Sequence, residues 1–258
     1  MFHWKGYLPM TAKHTLAALA ASALALGVST QALAQESVNW SGPYVGLTAG
    51  RSDGRFNAKD APLFTQQGSP FFGTFGGTLA NSDPDFKLKG GEYGVTAGWN
   101  RQEGHLVAGF EGDLSYSDVN GGRTIADRPS PGTNRFNTVL SADLKYLATA
   151  RARLGYAMGP LLAYGTAGFA ASEMKFRRGY TNAAGASMPG DDTRRYMGFT
   201  YGAGAEYALG SKWSVKAEYL RLNLGERIYR NGYSDGTYGV ANVRLDRDLY
   251  RMGVNYRF

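Results

Sequence analysis

The sequence predicts an all-β chain, an eight-stranded antiparallel transmembrane β-barrel with short periplasmic turns and long extracellular loops. Three observations predict it. Eight segments alternate apolar and polar residues with a period of two, the period of a strand. The connections between them alternate short and long. The N-terminus reads as an export signal.

The export signal is expected over residues 1–34, with a true start near Met10. Lys13 and His14 form a short polar n-region, residues 16–28 are an apolar run rich in Ala and Leu, and Ala32-Leu33-Ala34 supplies a small-x-small cleavage pattern. The run is too short to span a bilayer comfortably, and no later stretch approaches 18 consecutive apolar residues. Export through the Sec pathway then leaves residues 35–258 as the barrel.

In the first segment, 40–51, Val45, Leu47 and Ala49 alternate with Tyr44, Gly46, Thr48 and Gly50. In the second, 91–100, Tyr93, Val95, Ala97 and Trp99 oppose Glu92, Gly94, Thr96, Gly98 and Asn100. The third, 106–117, sets Leu106, Ala108, Phe110, Leu114 and Tyr116 against Gly109, Glu111, Asp113, Ser115 and Ser117. The fourth, 140–155, sets Leu144, Tyr146, Ala148, Ala150, Ala152 and Leu154 against Asp143, Lys145, Thr149, Arg151 and Arg153. The fifth, 161–176, is apolar on both faces, which leaves its register open. The sixth, 196–209, opposes Phe199, Tyr201, Ala203, Ala205 and Tyr207 to Thr200, Gly202, Gly204 and Glu206. The seventh, 213–222, opposes Trp213, Val215, Ala217 and Tyr219 to Ser214, Lys216 and Glu218. The eighth, 243–258, opposes Tyr250, Met252, Val254, Tyr256 and Phe258 to Arg251, Gly253, Asn255 and Arg257.

Each segment therefore has one apolar face and one face of glycines and charges. Alternation alone leaves open which face is outside. Size decides: an eight-stranded barrel has a narrow interior filled by side chains, so the bulky Tyr, Trp, Phe and Leu belong outside and Gly with paired charges inside. Residues 101–105, 157–160 and 210–212 are short connections, while 52–90, 118–139, 177–195 and 223–242 are long. Ten residues per strand at about 3.3 Å rise and about 40° tilt cover roughly 25 Å, the height of the lipid-facing band. Trp40, Trp99, Tyr207, Trp213, Tyr256 and Phe258 fall at the short-turn end, as an aromatic girdle would.

The chain ends in Arg251-Met252-Gly253-Val254-Asn255-Tyr256-Arg257-Phe258. Arg251, Gly253, Tyr256 and Phe258 fit a polar-x-Gly-x-x-aromatic-x-aromatic form similar to the C-terminal assembly signal of outer-membrane proteins. That signal implies the barrel-assembly machinery and periplasmic chaperones as partners during biogenesis. Trp40-Ser41-Gly42-Pro43-Tyr44-Val45-Gly46-Leu47, Arg151-Ala152-Arg153-Leu154-Gly155-Tyr156, Lys216-Ala217-Glu218-Tyr219-Leu220 and the C-terminal run resemble the alphaproteobacterial outer-membrane immunogenic proteins, small OmpA-like or porin-family barrels. The resemblance covers nearly all of 40–258 apart from the loops. It implies a surface-exposed, antigenic barrel in the outer membrane of a Gram-negative bacterium, and no activity. One departure is Arg221, on the outward parity near the extracellular rim, where lipopolysaccharide phosphate and outer-membrane lipid are the expected neighbours. No peptidoglycan-binding domain is expected after the barrel.

Composition narrows the chemistry. With 36 Gly and 17 Tyr against 9 Pro, strands and turns are favoured. Cysteine is absent, which removes disulfides, thiolate metal sites and a cysteine lipid anchor. Lys and Arg number 28 against 21 acids; without Lys5 and Lys13 of the leader 26 remain, an excess of 5 too mild to point to a partner. An acyl hydrolase or transferase needs a base such as His near its nucleophile. His3 and His14 lie in the presequence and His105 in a periplasmic turn, so no enzymatic role is expected. Asn81 and the acids Asp83, Asp85, Asp191 and Asp192 are read as solvated loop residues, and Gly202-Ala203-Gly204 as close-packed barrel interior. No cofactor, metal or nucleic acid is expected, and the protein is expected to be a monomer.

The inward faces bring opposite charges to neighbouring strands. Glu111 and Asp113 face Arg151 and Arg153, and Glu206, Lys216, Glu218 and Arg251 fall at similar depth. An unpaired charge in a narrow interior is costly, so a lumen charge network is expected. A structural barrel contributing to envelope integrity follows if that network closes the lumen. The alternatives are a narrow porin-like channel for small solutes and an exported lipocalin-like binding barrel; the C-terminal signal and the charges on the Gly-rich face disfavour the last.

Overall fold

A computed structural model of the chain describes residues 38–60, 86–126, 136–182, 187–232 and 238–258. The expected leader, 1–34, and the loop residues Asn81, Asp83 and Asp85 lie outside the described residues. The described chain is eight strands: β1 (Gly42–Asp60), β2 (Phe86–Glu103), β3 (Leu106–Ala126), β4 (Phe136–Met158), β5 (Leu161–Asn182), β6 (Ser187–Ala208), β7 (Trp213–Gly232) and β8 (Tyr238–Arg257). Each pairs antiparallel with its sequence neighbour, and β1 pairs with β8 to close the barrel. Three tight turns join strands at one end, each with a glycine in the left-handed region: Gly104 (φ 61°), Gly159 (φ 61°) and Gly210 (φ 129°). Only glycine adopts such a backbone without strain.

Following pairs around the barrel gives its stagger. Val45 pairs with Ala97, Ala97 with Gly112, Gly112 with Ala150, Ala150 with Phe169, Phe169 with Phe199, Phe199 with Asn223, Asn223 with Asp246, and Asp246 with Arg55. The circuit returns to β1 ten residues above its start, from 45 to 55. That shear across eight strands sets a tilt of about 40°, so each residue climbs about 2.5 Å along the barrel axis.

The strands are longer than the alternation suggested. The connections expected over 52–90, 118–139, 177–195 and 223–242 give way to strands that continue to 60 and from 86, to 126 and from 136, to 182 and from 187, to 232 and from 238. Some 20 residues at about 2.5 Å rise about 50 Å, twice the lipid-facing band. The extra length has the opposite polarity. Near the tight turns Tyr93, Val95, Phe110, Leu114, Phe199, Tyr219, Tyr250 and Met252 are exposed on the outside. Beyond Tyr93 the outward residues of β2 are Lys89 and Lys87, and beyond Tyr250 those of β8 are Asp248, Asp246 and Arg244. Their inward neighbours Leu88, Phe86, Leu249, Leu245 and Val243 are buried. In the turn-side half the barrel is apolar outside and, above a small apolar cluster at the turns, polar inside; beyond that half it is apolar inside and charged outside. The expectation of an inner face of glycines and charges holds in the turn-side half and fails in the other.

A β-bulge explains a second difference. The β4–β5 register shifts between Leu144 and Tyr146. The extra residue turns Leu144 and Leu147 both inward, fully buried, while Tyr146 stays 53% exposed. Leu144 is therefore not on the lipid face with Tyr146, as strict alternation placed it. The open register of the fifth segment resolves with Leu162, Tyr164, Thr166 and Met174 inward and Leu161 and Phe169 outward.

One seam is short. The β6–β7 ladder runs from Ala208↔Ser214 only to Phe199↔Asn223, whereas β5–β6 runs from Leu161↔Tyr207 to Thr181↔Ser187. Above it, among the described residues, β6 pairs with β5 and β7 with β8. The Arg227 Nε donates to the Arg195 carbonyl at 3.3 Å across the join.

Candidate functional site

The interior is stacked in three layers along the axis. The middle layer holds the charges named from the sequence, brought together by inward parity on β3, β4, β6, β7 and β8. Glu111, Asp113, Arg151, Arg153, Glu206, Lys216, Glu218 and Arg251 are all buried. The four acids and four bases balance, so the layer carries no formal net charge. Arg151 is the hub: it binds Asp113 at 2.7 Å and Glu218 at 2.9 Å and also pairs with Glu111. Arg251 reaches Asp113 at 2.6 Å and hydrogen-bonds Glu218 at 2.6 Å, and Lys216 reaches Glu111 at 2.7 Å. Arg153 pairs with Glu206 nearer the turns.

Sequence reasoning missed the neutral groups that complete this layer. The Tyr44 hydroxyl donates to Glu111 at 2.8 Å, and Tyr164 donates to Glu218 at 3.2 Å while its ring lies 3.7 Å from the Arg153 guanidinium. Ser214 and Asn255 donate to Glu206 at 2.5 and 2.9 Å, and Thr149 to Asp113 at 2.5 Å. Two glycines make room for the rings. A Cβ on Gly98 would stand 2.5 Å from the Tyr44 ring, and one on Gly204 would stand 2.6 Å from the Tyr164 ring. The Gly202-Ala203-Gly204 run is thus packed wall. A further pair, Arg247 with Glu92 at 2.9 Å, was also missed; Arg247 additionally takes the Ser52 hydroxyl at 3.0 Å. The available signal was parity, since Glu92 and Arg247 share the inward phase of their strands.

Apolar layers lie on both sides. On the far side Phe56, Phe86, Phe176, Leu140, Leu222 and Leu245 belong to one buried cluster, with Phe56 stacked on Phe86 at 4.4 Å and on Phe176 at 5.1 Å. On the turn side Trp40 packs with Val107, Ala157, Leu162, Tyr164 and Ala208. Trp40 is fully buried, with the Arg257 guanidinium 4.5 Å over its ring. It is a cap inside the mouth and not part of the outer aromatic girdle expected for it. The short segment before β1 is held there: Trp40 N donates to the Gln102 side chain at 2.8 Å, and Arg257 donates to the Asn39 carbonyl at 2.9 Å. Buried charges of this kind persist where each has an opposite partner, and here apolar clusters flank them on both sides.

Of the C-terminal residues, Arg251 belongs to the charge layer and Gly253 lies inward, where a Cβ would meet Thr48 at 3.0 Å and Lys216 at 3.3 Å. Tyr256 packs on Trp213 at 5.0 Å and on Phe258 at 5.3 Å, and Phe258 is 71% exposed. His105 sits in the turn before β3, its ring nitrogen 3.0 Å from the Ala157 carbonyl. Arg221 is engaged by Asp248 at 2.8 Å, and Asp192 by Arg194 at 2.8 Å.

The chain matches the model of the outer membrane protein β-barrel domain over residues 19–258. It is 30% identical over 225 residues to the 31 kDa outer-membrane immunogenic protein of Brucella melitensis, covering 86% of this chain and 85% of that protein. It is 30% identical over 165 residues to the 25 kDa outer-membrane immunogenic protein of the same organism, 64% of each. The solved structure of the outer membrane protein OprG from Pseudomonas aeruginosa is similar at a TM-score of 0.49 and 13% identity, covering 86% of this chain and 98% of that one.

Proposed function

The chain belongs to the outer membrane protein β-barrel family, and on that premise we propose that it is a structural barrel with a closed lumen, contributing to envelope integrity and presenting antigenic loops at the cell surface. The observation that carries this reading is the neutral, fully paired charge layer between two apolar layers. A conducting pore needs a continuous wet path, and these layers fill the section that such a path would cross. The antigenic part rests on its relatives, which are named immunogenic proteins. A non-catalytic role fits the placement of His105 at the turn end, away from any rim nucleophile.

Export by the Sec pathway through the leader at 1–34 belongs to the same reading. So do assembly through the C-terminal Arg251, Gly253, Tyr256 and Phe258, contact with lipopolysaccharide and a monomeric state. The experiment is a planar-bilayer recording of the purified, refolded protein. Wild type should give little conductance, and Arg151→Ala, which leaves Glu111, Asp113 and Glu218 short of a partner, should give a leak. Large steady channels from wild type, with Arg151→Ala folding normally, would replace this reading by a narrow pore.

A further inference from the structure

We propose that Arg55, Lys87 and Lys89 form a docking site for the phosphate of an outer-leaflet glycolipid, an inference that rests on the outer-membrane reading above. All three face outward on β1 and β2. They stand just beyond the point where the outer surface changes from aromatic to charged. Lys89 is four residues above Tyr93, about 10 Å along the axis, which is the depth of a headgroup layer above the hydrocarbon.

These cations differ from their neighbours in making no close ion pair, although Lys89 stands opposite Asp53 and Arg55 opposite Asp246 in the strand register. Around the same level Arg221 is held by Asp248 at 2.8 Å, Arg177 by Asp143 at 2.6 Å and Arg195 by Glu173 at 3.4 Å. Arg55, Lys87 and Lys89 make no ion pair or hydrogen bond among the described residues, and Arg55 is the register partner of Lys87. Like charges directly opposite each other on adjacent strands destabilise a sheet unless an anion lies between them.

The shape fits the same occupant. A cleft of about 470 Å³ is lined by the three cations together with Asp53, Asp246 and Asp248. Those acids are already engaged: Asp248 by Arg221 and by the Tyr219 hydroxyl at 2.7 Å, Asp246 by Arg244 at 3.3 Å, and Asp53 by Arg51 at 3.7 Å. Counting Arg221, the lining holds four cations against three acids, an excess of one positive charge. Below it the Tyr93 ring leans over Gly91, whose missing Cβ would stand 3.0 Å from the Tyr93 hydroxyl. The ring thereby offers a flat face to the sugar that carries the phosphate, at the level where amphipathic aromatics settle.

The test measures binding of diphosphorylated lipid A, dephosphorylated lipid A and inorganic phosphate to protein refolded in neutral detergent micelles. Folding of each variant is checked first by its heat-modifiable migration on a gel. Wild type should bind the diphosphorylated lipid. Joint replacement Arg55→Gln, Lys87→Gln and Lys89→Gln should weaken that binding by at least about tenfold, and Lys87→Gln alone by about fivefold. Lys145→Gln, an exposed cation on β4 just above Tyr146, should leave it unchanged. Equal binding by the triple variant, equal loss in Lys145→Gln, or equal binding of dephosphorylated lipid would overturn the proposal. Competition by inorganic phosphate at the lipid's own concentration would overturn the lipid as occupant in favour of a free anion. A wild-type protein that shows no heat-modifiable folded form would instead count against the membrane barrel itself.

Discussion

Arg151 shows how much of the molecule rests on single side chains. It meets carboxylates from β3 and from β7, so its removal strands acids on two strands at once. Breaking a buried pair by deleting one partner costs about 3–5 kcal/mol, because the other charge stays buried. Arg153 and Glu206 offer the cleaner measurement. Arg153→Met should destabilise the barrel by about 3 kcal/mol in urea unfolding from lipid vesicles, while Arg153→Met with Glu206→Met should cost clearly less than the two single changes added together. Strict additivity would mean that the pair is not coupled. The charges at this scale were legible in the sequence because they share one parity. Trp40 was not: a tryptophan just ahead of the first strand reads equally as a girdle residue outside or a cap inside, and the Arg257 guanidinium over its ring, the Gln102 side chain and the turn-side apolar cluster fix it inside.

At the scale of the element, the exchange of polarity along each strand is the feature the alternation concealed. In β2 the apolar residues move from the odd positions Tyr93 and Val95 to the even positions Phe86 and Leu88, with no bulge between them. A slip of the apolar set without a slip of register means that the surroundings change while the strand runs straight on. Read as the end of the pattern, it shortened every strand. The bulge at Lys145 escaped notice for the opposite reason, since there the register moves and the apolar residues continue on both sides. The two halves should respond to mutation by different rules. Leu245→Ala, in the far apolar layer, should cost about 2–5 kcal/mol, as in the core of a water-soluble protein. Ala150→Lys, on the lipid face of β4, should cost about 2–4 kcal/mol, whereas Asp118→Lys, outward beyond Tyr116, should change stability by less than about 0.5 kcal/mol. Equal penalties at positions 150 and 118, measured by unfolding from vesicles, would remove the boundary between the halves.

For the whole molecule, an even number of strands puts both ends of the barrel beside the tight turns. With the long connections outside the cell, an epitope tag at Gly76, between β1 and β2, should be labelled on intact cells, and one at Gly104 only after the outer membrane is opened. Reversed labelling would invert the topology. That orientation is what the connection lengths predict; the uneven strength of the wall was not legible, because pairing between β6 and β7 depends on where two long strands diverge. The turn-side half is a closed hoop, every strand joined to two others. The far half is a split ring whose join stops at Phe199 and Asn223, with the Arg227–Arg195 contact as a clasp. A closed hoop resists any change of girth, because widening it must stretch every ladder at once. A split ring widens by bending, once side-chain contacts across the join such as Arg227 to Arg195 give way. The molecule is therefore a stiff tube in the bilayer carrying a compliant collar, and a load applied at the outer end is taken up as flexure there before it can strain the charge layer below.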